Sequence, residues 1–215
     1  VLENPDRLST LKIEVSGIPF KSISLDGGRQ TLKDKILTIE KESVANLAGD
    51  MQTDNLQPLE KIYLRPTPFI QSDHQKIRTL AQKIAGNYTA PLDKLRVLVN
   101  WMNQNIEKRP VLSLPDALST LENRMGDCNE HAVLLAALAR AAGIPCRIEA
   151  GLVYMRERFY YHAWNLVYLG RWITVDALFG QIPADVSHIR FVTGSPRQQL
   201  DLMGIIGKVK IRVIN

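Results

Sequence analysis

Apolar and polar residues alternate through TLKIEVSGIPF at 10–20, and again around Leu32, Ile36 and Ile39 in LKDKILTIEKE. Successive side chains on a strand point to opposite faces, so a period of two predicts half-buried strands, with LDGG at 25–28 as a turn. The prolines at 58, 66 and 68 remove backbone donors and interrupt any regular element. Residues 56–69 therefore read as a linker.

The period then changes to that of a helix. DHQKIRTLAQKIAG places Ile77, Leu80, Ala81 and Ile84 on one face, with Ser72 or Asp73 as the N-cap and Gly86 as the stop. PLDKLRVLVNWMNQNIEKR puts Pro91 in a first turn and builds a stripe from Leu95, Leu98, Val99, Met102 and Ile106. Pro110 and Pro115 bound a short loop ahead of DALSTLENRMG, another amphipathic turn or two. The nearly uncharged CNEHAVLLAALARAA then has the composition of a buried helix, ended by Gly143 and Pro145. Beyond it the period of two returns in CRIEAGLVYM, YYHAWNLVYL and RWITVDAL, and finally in KVKIRVI. Helices followed by an antiparallel sheet is the α+β order. The expected organisation is a β-rich segment over 1–60, or the end of a preceding domain, and an α+β domain over 61–215.

With 215 residues and 45% apolar content the chain can bury a substantial core. No run approaches the roughly 18 apolar residues of a membrane span. The net charge of +5 comes from Lys and Arg interspersed with acids, so a nucleic-acid partner is not expected. The first residue is Val1 and not Met, as in an excised piece of a longer protein or a processed form, and no targeting signal is legible. Compartment and oligomeric state stay open. Two cysteines are too few for a disulfide scaffold, although a bridge between Cys128 and Cys146 is compatible with their spacing.

Free cysteines are ordinarily packing residues, but Cys128 stands where a helix starts. Asp127 and Glu130 have the spacing of an acidic N-cap and its capping-box partner, making Cys128 the first helical residue, ahead of the stripe Val133, Leu134, Ala137, Leu138 and Ala141. There the unpaired N–H groups and the positive end of the helix dipole favour a thiolate. Gly126 allows a tight turn and the close approach of a substrate backbone.

A thiol nucleophile needs a base, and the chain has four histidines. His74 and His188 fall in polar surroundings and read as surface residues. His131 is near Cys128 on the same helix, with nothing nearby in sequence to orient its ring. His162 shares a strand face with Trp164, Leu166 and Tyr168, ahead of a turn at Gly170 and a strand leading to Asp176. A three-residue connection sets either Val167 opposite Arg171 or Tyr168 opposite Trp172. Both registers keep His162 and Asp176 on one face, and a two-residue turn separates them. Such a pair can hold an imidazole by one nitrogen and leave the other to take a thiol proton.

GDCNEHAVLLAALARAAGIPCR resembles the nucleophile helix of the transglutaminase-like superfamily of papain-related thiol enzymes. HAWNLVYLGRWITVDALFG resembles its His and Asp strands, and the Gly-Ile-Pro-Cys-Arg link the connection between them. The resemblance covers roughly residues 77–181. It implies Cys128 as nucleophile, His162 as general base and Asp176 as orienting acid, with no cofactor and no metal. Leu166 and Leu178 depart from residues common in the family but touch none of these three. The implied activity is acyl transfer on protein or peptide amides through a thioester, as a protease or amidase. The alternatives are a transglutaminase-type cross-linker and a catalytically idle peptide-binding module. The family also implies a second oxyanion donor, for which Trp101 is a candidate that reads more readily as core. A zinc site from Cys128, His131, Cys146 and His162 is disfavoured because their spacing lacks the short knuckles of structural zinc.

Overall fold

The computed structural model describes residues 2–17, 23–45, 47, 56–112, 114–193 and 196–214. Its elements are β1 (Thr10–Ser16), β2 (Gln30–Lys33), β3 (Ile36–Glu40), α1 (Pro58–Ile62), α2 (Gln75–Ala85), α3 (Pro91–Asn105), β4 (Glu107–Lys108) and α4 (Ala117–Asn123). They continue with β5 (Met125–Gly126), α5 (Cys128–Ala141), β6 (Cys146–Met155), β7 (Arg158–Tyr168), β8 (Trp172–Val175), β9 (Ile189–Thr193), α6 (Pro196–Ile206) and β10 (Lys210–Ile214). Helices and antiparallel sheets are thus combined in the α+β manner. The last three residues of TLKIEVSGIPF lie outside the described residues. No helix among the described residues is long and apolar enough to cross a membrane.

Two compact units divide the chain. The first comprises 1–43, 149–163 and 183–215; the second comprises 44–148 and 164–182.

In the first unit, β1 lies between β10 and β3 in a sheet of order β10-β1-β3-β2. Its alternation explains the fold: Leu11, Ile13 and Val15 turn inward with Leu37 and Ile39, while Glu14 faces out and accepts from Arg212 Nε at 2.8 Å. β2 and β3 are joined through Asp34 and Lys35, Asp34 holding a φ of 57° that a short polar residue tolerates. β9 pairs antiparallel with β6, whose register shifts between Ala150 and Gly151. A Cβ on Gly151 would stand 1.9 Å from the Ile189 carbonyl oxygen, so this bulge requires glycine. Two buried arginines fasten the loops. Arg190 donates to the carbonyls of Ser24, Asp26 and Gly27, each at 2.9 Å, and Arg29 to those of Ala184 at 2.8 Å and His188 at 3.0 Å.

In the second unit α5 is buried on every side from Glu130 to Arg140 and packs against α2, α3 and α4. The expected α3 stripe of Leu95, Leu98, Val99, Met102 and Ile106 is buried as read. Arg140 is the one basic residue of α5, and its burial is compensated: Nε donates to the Cys146 carbonyl at 2.9 Å and Nη1 to that of Arg65 at 2.6 Å. Two local expectations are corrected. The 56–69 segment contains α1, because Pro58 sits in its first turn, where no N–H is needed. α2 is capped by His74, whose Nδ1 accepts from Lys76 N at 3.2 Å, and not by Ser72 or Asp73. The second sheet has the order β8-β7-β6-β9.

Candidate active site

Cys128 is delivered to the first position of α5 by a tightly specified lead-in. Arg124 ends α4 with a φ of 57°, and the short strands β5 and β4 then pair in parallel through Met125 and Gly126. Asp127 caps α5: its Oδ1 accepts from Asn129 N at 3.0 Å, and its own N–H donates to Glu130 Oε2 at 3.0 Å, completing the capping box. Cys128 is 8% exposed. Glu130 accounts for glycine at 126, since an added Cβ would lie 2.2 Å from Glu130 Cβ. Burial of Glu130, reinforced by a side-chain hydrogen bond with Asp127 and opposed by the bond from the Asp127 N–H, raises that carboxyl to about 7.

His131 lies one turn further on, buried, with Nδ1 2.8 Å from the Asp127 carbonyl oxygen. A carbonyl only accepts, so Nδ1 carries the proton. Desolvation lowers the pKa of this imidazole, disfavouring its charged form, and Nε2 has no partner among the described residues. A backbone carbonyl thus orients this ring, a partner that residue types alone do not display.

The two cysteines are not joined in a disulfide and sit in different settings. Cys146 is fully enclosed at the start of β6, where burial pushes its thiol up to about 12. Its Sγ accepts from Asn165 Nδ2 at 3.4 Å, and the same amide donates to the Ala132 carbonyl at 2.9 Å, fastening β7 to α5. Asn165 was not singled out in the sequence, although a lone amide within the apolar run AWNLV is a signal that it has specific partners.

His162 sits within β7, four residues past its start, and is 4% exposed. Its ring centroid is 5.7 Å from that of His188, with the planes inclined at 59°. His188 is not a surface residue: it is 0% exposed, because its Nδ1 is partnered by Asp185 Oδ1 at 3.2 Å. Asp176 follows β8 and is buried; its backbone forms an antiparallel bridge with Gln181, and its Oδ1 accepts from Phe179 N at 3.0 Å.

β7 and β8 pair with Tyr168 opposite Trp172, Leu166 opposite Thr174 and Asn165 opposite Val175. This is the second of the two registers that a three-residue connection allows, with Gly170 at a φ of 89° in the turn. Trp101 is half-buried beneath the Arg124 guanidinium, 4.8 Å from its ring centroid. Trp164 is core, as aromatic residues on these strands usually are.

Residues 78–177 match the family model of the transglutaminase-like superfamily, a span that contains Cys128, His162 and Asp176. This part of the chain belongs to the transglutaminase-like superfamily. The superfamily's core therefore runs from α2 to just beyond β8. A Haemophilus influenzae protein of uncharacterised function is 36% identical over 90 residues, 40% of this chain and 24% of that protein, so the match spans about a quarter of the relative's length. Among solved structures, a candidate cysteine protease from Cytophaga hutchinsonii superposes with a TM-score of 0.66 at 18% identity, covering 97% of this chain and 83% of that one. The periplasmic domain of TgpA from Pseudomonas aeruginosa gives a TM-score of 0.50 at 18% identity, covering 81% and 71%. At these identities the structures establish likeness of fold.

Proposed function

We propose that the protein is a thiol acyl-transfer enzyme acting on protein or peptide amide bonds, as a protease or amidase. The observation that carries this reading is Cys128 in the first turn of α5 behind a complete capping box. The positive end of the helix favours thiolate over thiol there, and the buried Cys146 lacks any such advantage.

In the mechanism, His162 takes the Cys128 proton and the sulfur attacks the amide carbonyl carbon. The tetrahedral oxyanion collapses, breaking the C–N bond as the His162 imidazolium protonates the departing amine. A thioester remains on Cys128. His162 then deprotonates a water, which attacks the thioester to release the acid and restore the thiol. Asp176 holds the imidazole in the tautomer both halves require. The Tyr168–Trp172 register supports this pairing, because it gives 162 and 176 the same strand parity. Likeness to a candidate cysteine protease from C. hutchinsonii supports the class of chemistry.

The test is turnover of a panel of peptides and primary carboxamides, with and without an added alkylamine, by wild type and Cys128→Ala. We expect the variant to lose about 10⁴-fold or more in rate with an unchanged thermal melt. Retained turnover in that variant overturns the proposal. An amine-dependent product replacing hydrolysis assigns the cross-linking alternative.

A further inference from the structure

The mechanism above leaves two buried imidazoles unused, His131 and His188. His188 is fully enclosed in the first unit, yet it is held with more care than packing requires. Three contacts converge on Asp185 Oδ1: Ser187 N at 2.8 Å, Ser187 Oγ at 2.6 Å and His188 Nδ1 at 3.2 Å. The Ser187 N–H can only donate, so this oxygen is an acceptor and Nδ1 of His188 bears its proton. The backbone of the same turn is gripped by Arg29, which donates to the Ala184 and His188 carbonyls at 2.8 and 3.0 Å. Arg29 is itself buried, 4.0 Å from Glu42 and within electrostatic reach of Glu149 and Asp185. The plane and the tautomer of His188 are both fixed, and its ring centroid lies 5.7 Å from that of His162.

We infer that His188 is a positioning residue for the His162 imidazole. The inference rests on reading His162 as the base. The two rings are 5.7 Å apart between centroids and tilted at 59°, so rotation of the His162 ring about its Cβ–Cγ bond sweeps its edge toward His188. Such a flip exchanges Nδ1 with Cδ2 and Nε2 with Cε1, placing carbon where the base needs both nitrogens. His188 acts as a fixed wall that hinders this rotation. Asp185, Ser187 and Arg29 serve to keep that wall still.

The experiment compares wild type, His188→Ala, His188→Leu and His188→Phe by two readouts. The first is the rate of Cys128 alkylation by iodoacetamide at pH 7; the second is the set of His162 ring ¹⁵N resonances in imidazole-labelled protein. Phe restores a flat wall but cannot bond to Asp185; Leu fills volume without a flat face and stands in for Ala if that variant does not fold. We expect one ordered His162 ring state in wild type and Phe, averaged ring signals in Ala and Leu, and alkylation slowed by up to about tenfold in Ala and Leu, the largest loss of thiolate that a one-unit rise in thiol midpoint can cause. Phe is expected within about threefold of wild type on the same scale. If all four proteins show the same His162 signals, or if Phe is as defective as Leu, the inference is overturned. A wild-type Cys128 with no enhanced reactivity would instead sink the proposed mechanism, while the ring signals still decide the role of His188.

Discussion

Cys128 and Cys146 are chemically identical and meet opposite surroundings: one opens a helix, the other is walled in where burial holds its thiol near 12. In the folded protein we expect iodoacetamide to label Cys128 alone, with a midpoint below the roughly 8.5 of a free thiol. Cys146 should react only after unfolding. His162→Ala should move the Cys128 midpoint upward, as peptide mass spectrometry across a pH series will read. Glu130 carries a second measurable consequence. Its folded pKa, about 7, lies above the ordinary carboxyl value of 4.5. Between these values the folded chain keeps a proton that the unfolded chain has released. The stabilisation this proton gives is fully present below about 4.5 and is lost as pH rises through about 7. Glu130→Gln retains an oxygen to accept the Asp127 N–H and has no charge to bury. Its urea midpoint relative to wild type should therefore rise between pH 5 and pH 8.

At the scale of the element, glycine marks where chains approach too closely for a side chain. Gly151→Ala puts a methyl group against the Ile189 carbonyl at the β6–β9 bulge, and nothing there is flexible enough to retreat. Overpacking of this kind costs about 1–3 kcal/mol, a loss that denaturant titration will resolve. The elements themselves were legible because their signals are local. The α3 stripe and the Asp127–Glu130 capping box follow from spacing along one stretch of chain. The β7–β8 connection was legible down to two registers, and the structure has Tyr168 opposite Trp172. What sequence did not display depends on distant partners or on backbone groups. β10 reads as a strand, but nothing in KVKIRVI names β1 as its neighbour. His188 reads as surface because its letters are polar, and it is buried because Asp185 satisfies its ring and Arg29 its carbonyl. β9 and α6 were not anticipated: IRFVT is only five residues long, and PRQQLDLMGII has no strong apolar stripe.

Across the whole molecule, the superfamily match at 78–177 falls mainly within the second unit, while the first is assembled from three stretches separated in sequence. The first unit's sheet depends on β10 to cover one edge of β1, from Lys12 opposite Ile214 to Ser16 opposite Lys210. Deleting residues 208–215 should leave that edge bare. Hydrogen exchange at 12–16 is expected to accelerate strongly, with protection in α3 and α5 far less affected. The same discontinuity governs how the chain is made. β1 to β3 leave the ribosome early, yet the sheet they belong to lacks a strand until residues 210–214 have been translated. At about 5–20 residues per second that wait is on the order of ten seconds or more. Throughout it, apolar strands with a bare edge stand exposed to chaperones and proteases, so the yield of intact protein should depend on synthesis speed more than its final stability would indicate.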